Sequence, residues 1–383
     1  WDSSYITMFS ACFRERYKPH YIFDYIKQQS PTFVALLGDN MYGDYDGDIN
    51  KLERLRRDRT YRQEMILGGE YLPPGETVIE ALRNKYHRNF DEYFQGVSSQ
   101  IPIMAIWDDH DYGQDNSDGT YRYKEEARQV FLETFPTYPY ETKEGGLHYR
   151  FSVADVDFFV LDTRWYRTPM QGEDGPDKTM LGQQQLEWLL AGLKASKATF
   201  KMILSSVSWN DYGGDTSSGR PGFDSWRGYL YERNKILAFI EDEAIPGVLI
   251  FSGDQHYPSA HILNWKPPLR AVSGDDETAV YSLNDLGTAV IDFSASPLSY
   301  HRAAGENPLP GYQDDPSRSY EIFRSSWALE GPHLSKIKKI ISAVYGYVEV
   351  DTRDPVKRVT VTFKELDWST SSMKDIYQVQ LLY

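Results

Sequence analysis

The sequence predicts a layered α/β domain, and three observations predict it. Short apolar runs recur between breakers, helical patterns lie between them, and the composition supports one sizeable core: 383 residues, 40% hydrophobic and 15% aromatic. The runs Tyr5 to Phe9, Phe33 to Leu37, Ile101 to Trp107, Val156 to Leu161, Lys201 to Val207, Val248 to Phe251 and Ala289 to Phe293 are bounded by Gly, Pro, Asp and Ser, and read as buried strands. Helices are expected at Leu181 to Ala195, where Leu186, Leu189, Leu190 and Leu193 share one face, and at Trp226 to Ile240. A charged, Arg-rich segment with Leu52-x-x-Leu55 spacing, residues 51–94, reads as a helical insertion packing over the sheet edge. Residues 305–331 are rich in Pro, Tyr and Asp without periodicity and read as a long ordered loop, so the part from 305 to 383 is expected to be loop-rich. Its end alternates as strands, at Gly346 to Val350, Val359 to Phe363 and Tyr377 to Leu382. No internal repeat interrupts the pattern, and residues 1–383 read as one domain.

The charge balance excludes some partners. With 41 basic and 56 acidic residues the formal net charge is −15, which opposes a surface for nucleic-acid phosphates or anionic lipid. No apolar stretch approaches the roughly 18 residues of a membrane span. The chain opens on Trp1 with no charged-then-apolar leader, and the expectation is a processed product, secreted or periplasmic. The one cysteine, Cys12, has no internal disulfide partner.

Four strand ends carry the chemistry. The first runs into Ser10-Ala11-Cys12, the second into Gly38-Asp39-Asn40-Met41-Tyr42, the third into Trp107-Asp108-Asp109-His110-Asp111, and a late one into Ser252-Gly253-Asp254-Gln255-His256. Carboxyl ends of neighbouring parallel strands gather along one edge, where α/β proteins bind ligands. Taken singly, Gly-Asp after a strand is commonly a turn, and a lone Cys or Tyr a packed side chain. The run Asp108 to Asp111 is different, because like charges at close range penalise ionisation and a cation removes the conflict. Carboxylates suit Ca²⁺, Mg²⁺ or Fe³⁺, whereas thiolate, phenolate and imidazole suit iron or zinc, so the inventory fits a mixed two-metal site bridged by Asp39.

These motifs, in this order, resemble the PhoD-like alkaline phosphatases, a branch of the calcineurin-like metallophosphoesterases. Leu161-Asp162-Thr163-Arg164, "LGQQQLEWL" and "SASPL" extend the resemblance over roughly residues 5–299. It implies a four-layer αββα sandwich of two mixed sheets with a metal centre at the strand ends. It further implies an iron(III) site held by Cys12, Asp39, Tyr42 and His256, with Tyr42 similar to the iron-binding phenolate of purple acid phosphatases. A second ion, calcium, would take Asp39 as bridge with Asp109 and Asp254, and Asp108 could replace either of these ligands. Where many superfamily members carry another metal-binding His, this chain has Ser205-Ser206-Val207-Ser208.

The expected reaction is hydrolysis of a phosphate mono- or diester, a small-molecule substrate, by hydroxide that two cations generate near neutral pH. His110 is placed to donate a hydrogen bond to the phosphoryl group or to protonate the leaving oxygen, with Asp111 orienting it. Arg164 could clamp nonbridging oxygens or pair structurally with Asp162. Trp209, Tyr212 and Trp226 line a cleft or pack, and packing is the expectation. The alternatives are another anionic ester, such as a sulfate or phospholipid head group, and a noncatalytic metal- or carbohydrate-binding module. "DYDGD", Asp44 to Asp48, is not an EF-hand loop, because Ile49 and Leu55 stand where Gly and Glu are needed. P-loop and serine-hydrolase motifs are missing from the sequence.

Overall fold

Parallel strands carry the architecture. They fall into two groups in the computed structural model, which describes residues 4–14, 21–43, 77–90, 94–136, 139–211, 223–264, 271–274, 277–298, 300–301, 320–325, 341–353, 355–367 and 369–383. One sheet runs in the order β3 (Ile103–Ile106), β2 (Phe33–Leu37), β1 (Ser4–Ser10), β15 (Val344–Asp351), β16 (Arg358–Asp367), β17 (Ser372–Leu382), β10 (Thr278–Ser282), β9 (Ser273–Gly274). The other runs β13 (Tyr320–Arg324), β8 (Ser259–Leu263), β11 (Val290–Ser294), β7 (Val248–Gly253), β6 (Phe200–Val207), β5 (Val156–Val160), β4 (Tyr149–Val153). A small ribbon pairs β12 (Tyr300–His301) with β14 (Ile341–Ser342).

Strands β1, β2 and β3 are mutually parallel in the first sheet, and β11, β7, β6 and β5 in the second, with antiparallel strands flanking both sets. β6 is buried along its whole length, as a central strand covered on both faces must be. The sheets face each other through aromatic contacts: Phe9 meets Phe251 edge-on at 4.7 Å and Phe33 meets Phe158 at 5.3 Å.

Helices close both outer faces. α1 (Tyr21–Gln29), α2 (Val78–Asn89), α3 (Gln95–Ser98) and α5 (Lys124–Thr134) add Ile22, Leu82, Val97 and Phe131 to the core of the first sheet, while α4 (Asp109–Tyr112) is a single turn after β3. α6 (Gly182–Ala195) and α7 (Leu230–Asp242) cover the second sheet, where Leu189, Leu193, Ile236 and Ile240 pack with Val207 and Ile250; α8 (Leu283–Leu286) follows β10. The layers are therefore helix, sheet, sheet, helix, and the expected four-layer sandwich of two mixed sheets is present. Among the described residues, no helix is long and apolar enough to cross a membrane.

Some boundaries differ from expectation. The predicted helix from Trp226 begins as an isolated 3₁₀ turn, Trp226–Gly228, capped by the Ser225 hydroxyl, and α7 starts only at Leu230. Within the predicted 305–331 loop, Tyr320–Arg324 forms edge strand β13, whose half-buried pattern gives little apolar signal. Among its described residues the C-terminal part is more strand than loop, because β15, β16 and β17 form a long meander inserted between β1 and β10. Of the 51–94 insertion, the described helix α2 packs against α5; Leu52, Leu55 and the Asp44–Asp48 segment lie outside the described residues.

Candidate metal centre

Parallel pairing sets the strand ends level. Phe9 pairs with Ala35 and Leu37 with Ile106, so the segments after β1, β2 and β3 leave the sheet side by side. They are then tied directly: the Cys12 amide donates to the Gly38 carbonyl (3.1 Å) and the Phe13 amide to that of Asp39 (2.9 Å). From the second sheet, β7 delivers Asp254 and His256, and the His256 amide donates to the Ser296 hydroxyl at 2.9 Å, which accounts for the "SASPL" stretch. Likewise Gln185 of "LGQQQ" holds Asp162 through both its backbone groups.

Cys12, Asp39, Asp254 and His256 all adopt left-handed backbone, with φ of 63°, 51°, 66° and 58°. Such residues cost on the order of 1–3 kcal/mol each and persist where the surroundings impose them. Gly38, at φ 101°, has no room for a side chain, since a Cβ there would sit 2.5 Å from that of Asp108. Gly253 is equally confined, 2.4 Å from the Cβ of Ala11. The four loops pack too closely for a side chain at either glycine.

Two clusters result. Cys12, Asp39, Asp254 and His256 each offer a ligand atom within 4.8 Å of the others, and so do Asp39, Asp109 and His110. Asp39 belongs to both. Cys12 and Asp39 are buried, whereas Asp254 and His256 keep an edge on solvent. Tyr42, 1% exposed, packs against His110 with ring centroids 4.2 Å apart and planes tilted by 34°, and the Arg14 guanidinium lies 5.2 Å from the Tyr42 ring.

The electrostatics are those of crowded, buried acids. Burial pushes Asp39 and Asp254 well above the usual carboxylate range and Cys12 above its usual thiol value, and neighbouring carboxylates push all three further. Burial also lifts Asp108 to about 6 against the pull of Arg164. Asp109 goes the other way: burial opposes ionisation, but His110, Arg164 and the Asn116 amide (2.6 Å) outweigh it. One oxygen of Asp108 accepts from Arg164 Nε (2.6 Å) and Ser206 Oγ (2.8 Å), while Oδ2, buried, has no hydrogen-bond partner among the described residues. A buried carboxylate oxygen without a hydrogen-bond partner, near enough to Cys12, Asp39 and Asp254 to hinder their ionisation, fits a metal ion.

Three expected roles are corrected by the geometry. Asp111 does not orient His110. Its carboxylate accepts from the Asn40, Met41 and Asp108 amides (3.0, 3.3 and 3.0 Å) and the Tyr86 hydroxyl (2.8 Å), and burial nonetheless raises it to about 7. The acids near the His110 ring are Asp115, 3.8 Å from Nε2, and Asp39 and Asp109, each within 4.8 Å of a ring nitrogen. Arg164 is no phosphate clamp, being fully buried and held by Asp108 and by both oxygens of Asp224 (3.0 and 2.7 Å). Nor does its guanidinium pair with Asp162, which instead accepts the Arg164 backbone amide. Trp209 and Trp226 are packing residues, stacked at 4.1 Å and buried; Tyr212 lies outside the described residues.

Sequence reasoning missed Asp224, Tyr86, Asn89 and Arg14. Asp224 also binds Arg167 Nη2 at 2.6 Å, so one carboxylate serves two buried guanidiniums. A lone Asp in a loop carries no local signal of this. Ser206 was noted only for a missing His, and its hydroxyl turns out to steady Asp108.

Comparison with known proteins bears on the family and the fold. The chain is 22% identical over 311 residues to alkaline phosphatase D of Bacillus subtilis (strain 168), covering 74% of this chain and 50% of that protein, so it spans half of that relative's length. A solved structure of PhoD superposes at a TM-score of 0.68 and 17% identity, over 99% of this chain and 69% of the other. A purple acid phosphatase from yellow lupin (Lupinus luteus) seeds superposes at 0.51 and 11% identity, over 100% and 54%. The two solved structures share the fold, and the family model of the PhoD-like phosphatases matches residues 8–354, through every strand end described above; the chain belongs to the PhoD-like phosphatase family.

Proposed function

We propose that this chain hydrolyses phosphate mono- or diesters at a two-metal centre. The observation that carries the reading is the pair of ligand clusters joined at Asp39. Cys12, Tyr42, Asp39 and His256 would hold iron(III), and Asp39 and Asp109 would hold calcium; Asp254, which the geometry groups with Cys12 and His256, would reach the calcium from that side, with Asp108 Oδ2 available to either. When bound, the two cations supply charge neutralisation for the ester and acidify water near neutral pH.

The chain's own residues do the rest. Asp39 sets the spacing of the clusters, and Arg164 keeps Asp108 aimed into the site from behind. His110, 7% exposed and packed against Tyr42, donates to the phosphoryl or leaving oxygen. Asp254 and His256, partly exposed, mark the side from which an anionic substrate enters.

The purified protein is expected to contain iron together with calcium, to absorb visible light through thiolate or phenolate bound to ferric iron, and to lose hydrolysis of a chromogenic phosphate ester on chelation. A colourless, metal-free protein that still hydrolyses the ester would refute the reading. A sulfate ester turned over faster would shift the substrate class and keep the centre.

A second reading concerns His110, which also lies within ligand distance of Asp39 and Asp109. As a proton donor, His110→Ala keeps both metals and slows turnover by about 10² to 10⁴. Loss of one metal equivalent in that variant assigns His110 to the ligand set instead.

A further inference from the structure

Helix α2 stands outside the ligand clusters, yet one of its faces bears on two of the loops that supply them. Leu82, Tyr86 and Asn89 are spaced four and three residues apart, so they share that face, and all three are buried. The Tyr86 hydroxyl donates to Asp111 Oδ1 at 2.8 Å. Asn89 Nδ2 donates to the Asn40 carbonyl at 2.9 Å. Leu82 closes over Gly43, where an added Cβ would lie 3.2 Å from Leu82 Cδ2, and the Gly43 amide donates to the His110 carbonyl at 3.0 Å.

Asp111 is the joint between the loops. It accepts the amides of Asn40 and Met41, which flank Asp39 and Tyr42, and the amide of Asp108. Tyr86 is itself fixed from behind by Phe131 and Phe135 of the α5 region, at 6.4 and 5.8 Å. The helix therefore grips the Asp39–Tyr42 loop at the Asn40 carbonyl and the Asp108–Asp111 turn at the Asp111 carboxylate.

We propose that Tyr86 and Asn89 are positioning residues of the metal centre: helix α2 holds the loop carrying Asp39 and Tyr42 in register with the turn carrying Asp108 and Asp109, and so sets how tightly the ions are kept. The proposal rests on the metal-centre reading and deepens it. Hydrogen-bonding partners behind metal ligands typically affect affinity by 10- to 100-fold.

The test measures release of iron and calcium from the full-length protein to competing chelators, beside kcat, KM and denaturation midpoint. Tyr86→Phe, which deletes one oxygen, and Asn89→Ala are each expected to speed metal release 10- to 100-fold. Leu193→Ala, in α6 on the far face, serves as the stability control, since Leu193 is buried in the other core cluster. It is expected to lower the midpoint and leave release unchanged. Asn89→Leu, which is similar in size and has no donor, is expected to behave as Asn89→Ala does. Wild-type release rates in Tyr86→Phe and Asn89→Ala would overturn the proposal, and so would equal acceleration by Leu193→Ala. A wild-type protein that retains no metal overturns the metal-centre reading itself, and this proposal falls with it.

Discussion

Asp39→Asn is expected to lose both metals and activity together. Asp39 is the one residue shared by the two clusters, and its carboxylate is buried among Cys12, Asp108, Asp109 and Asp254. An amide keeps the shape but surrenders the charge and one of two equivalent oxygen donors, so neither ion retains its common ligand. Turnover of a chromogenic phosphate ester should fall by about 10³ or more, roughly 4 kcal/mol in the barrier, because charge neutralisation and water activation disappear in one step. Elemental analysis of the same preparation checks the cause. Full metal content with near-normal turnover would remove Asp39 from the bridging role.

Arg164→Met carries the second large effect, on stability. The guanidinium is fully buried and opposes three carboxylates: Asp108 at 2.6 Å, Asp224 at 2.7 Å and Asp109 at 3.6 Å. Removing one partner of a buried pair leaves the remaining charges uncompensated and typically costs about 3–5 kcal/mol. Urea denaturation should show a loss of that size, and Arg164→Met combined with Asp224→Asn should recover part of it by removing one of the stranded acids. A loss below about 1 kcal/mol would mean that the surroundings absorb these charges without Arg164. Metal content is expected to fall too, since Asp108 loses the group that fixes its Oδ1.

Much of this was legible in the chain. Every predicted core strand up to Phe293 is present, because short apolar runs between Gly, Pro and Asp have few other structures open to them. The loops were legible for the same reason: Gly38-Asp39 and Gly253-Asp254 are turns that only glycine allows at such close approach. What could not be read was direction. On the single turn from Asp108 to Asp111, one side chain faces Arg164 and Ser206, the next Asn116 and the Asp39 cluster, the third Tyr42, and the fourth Asn40 and Tyr86. Residue type announces a cluster of charge, but partners 56 and 60 positions away decide which acid binds a guanidinium and which ties two loops. Arg164 was misjudged for that reason. Its nearest acid in the chain, Asp162, takes only its backbone amide.

The seam between the sheets has a consequence of its own. Cys12 and Asp39 hang from one half of the sandwich, Asp254 and His256 from the other. Neither half alone presents all four, so an ion held by them would join the two halves across the Phe9–Phe251 contact. A metal seated there acts as a rivet, and anything that slid one half past the other would let it go.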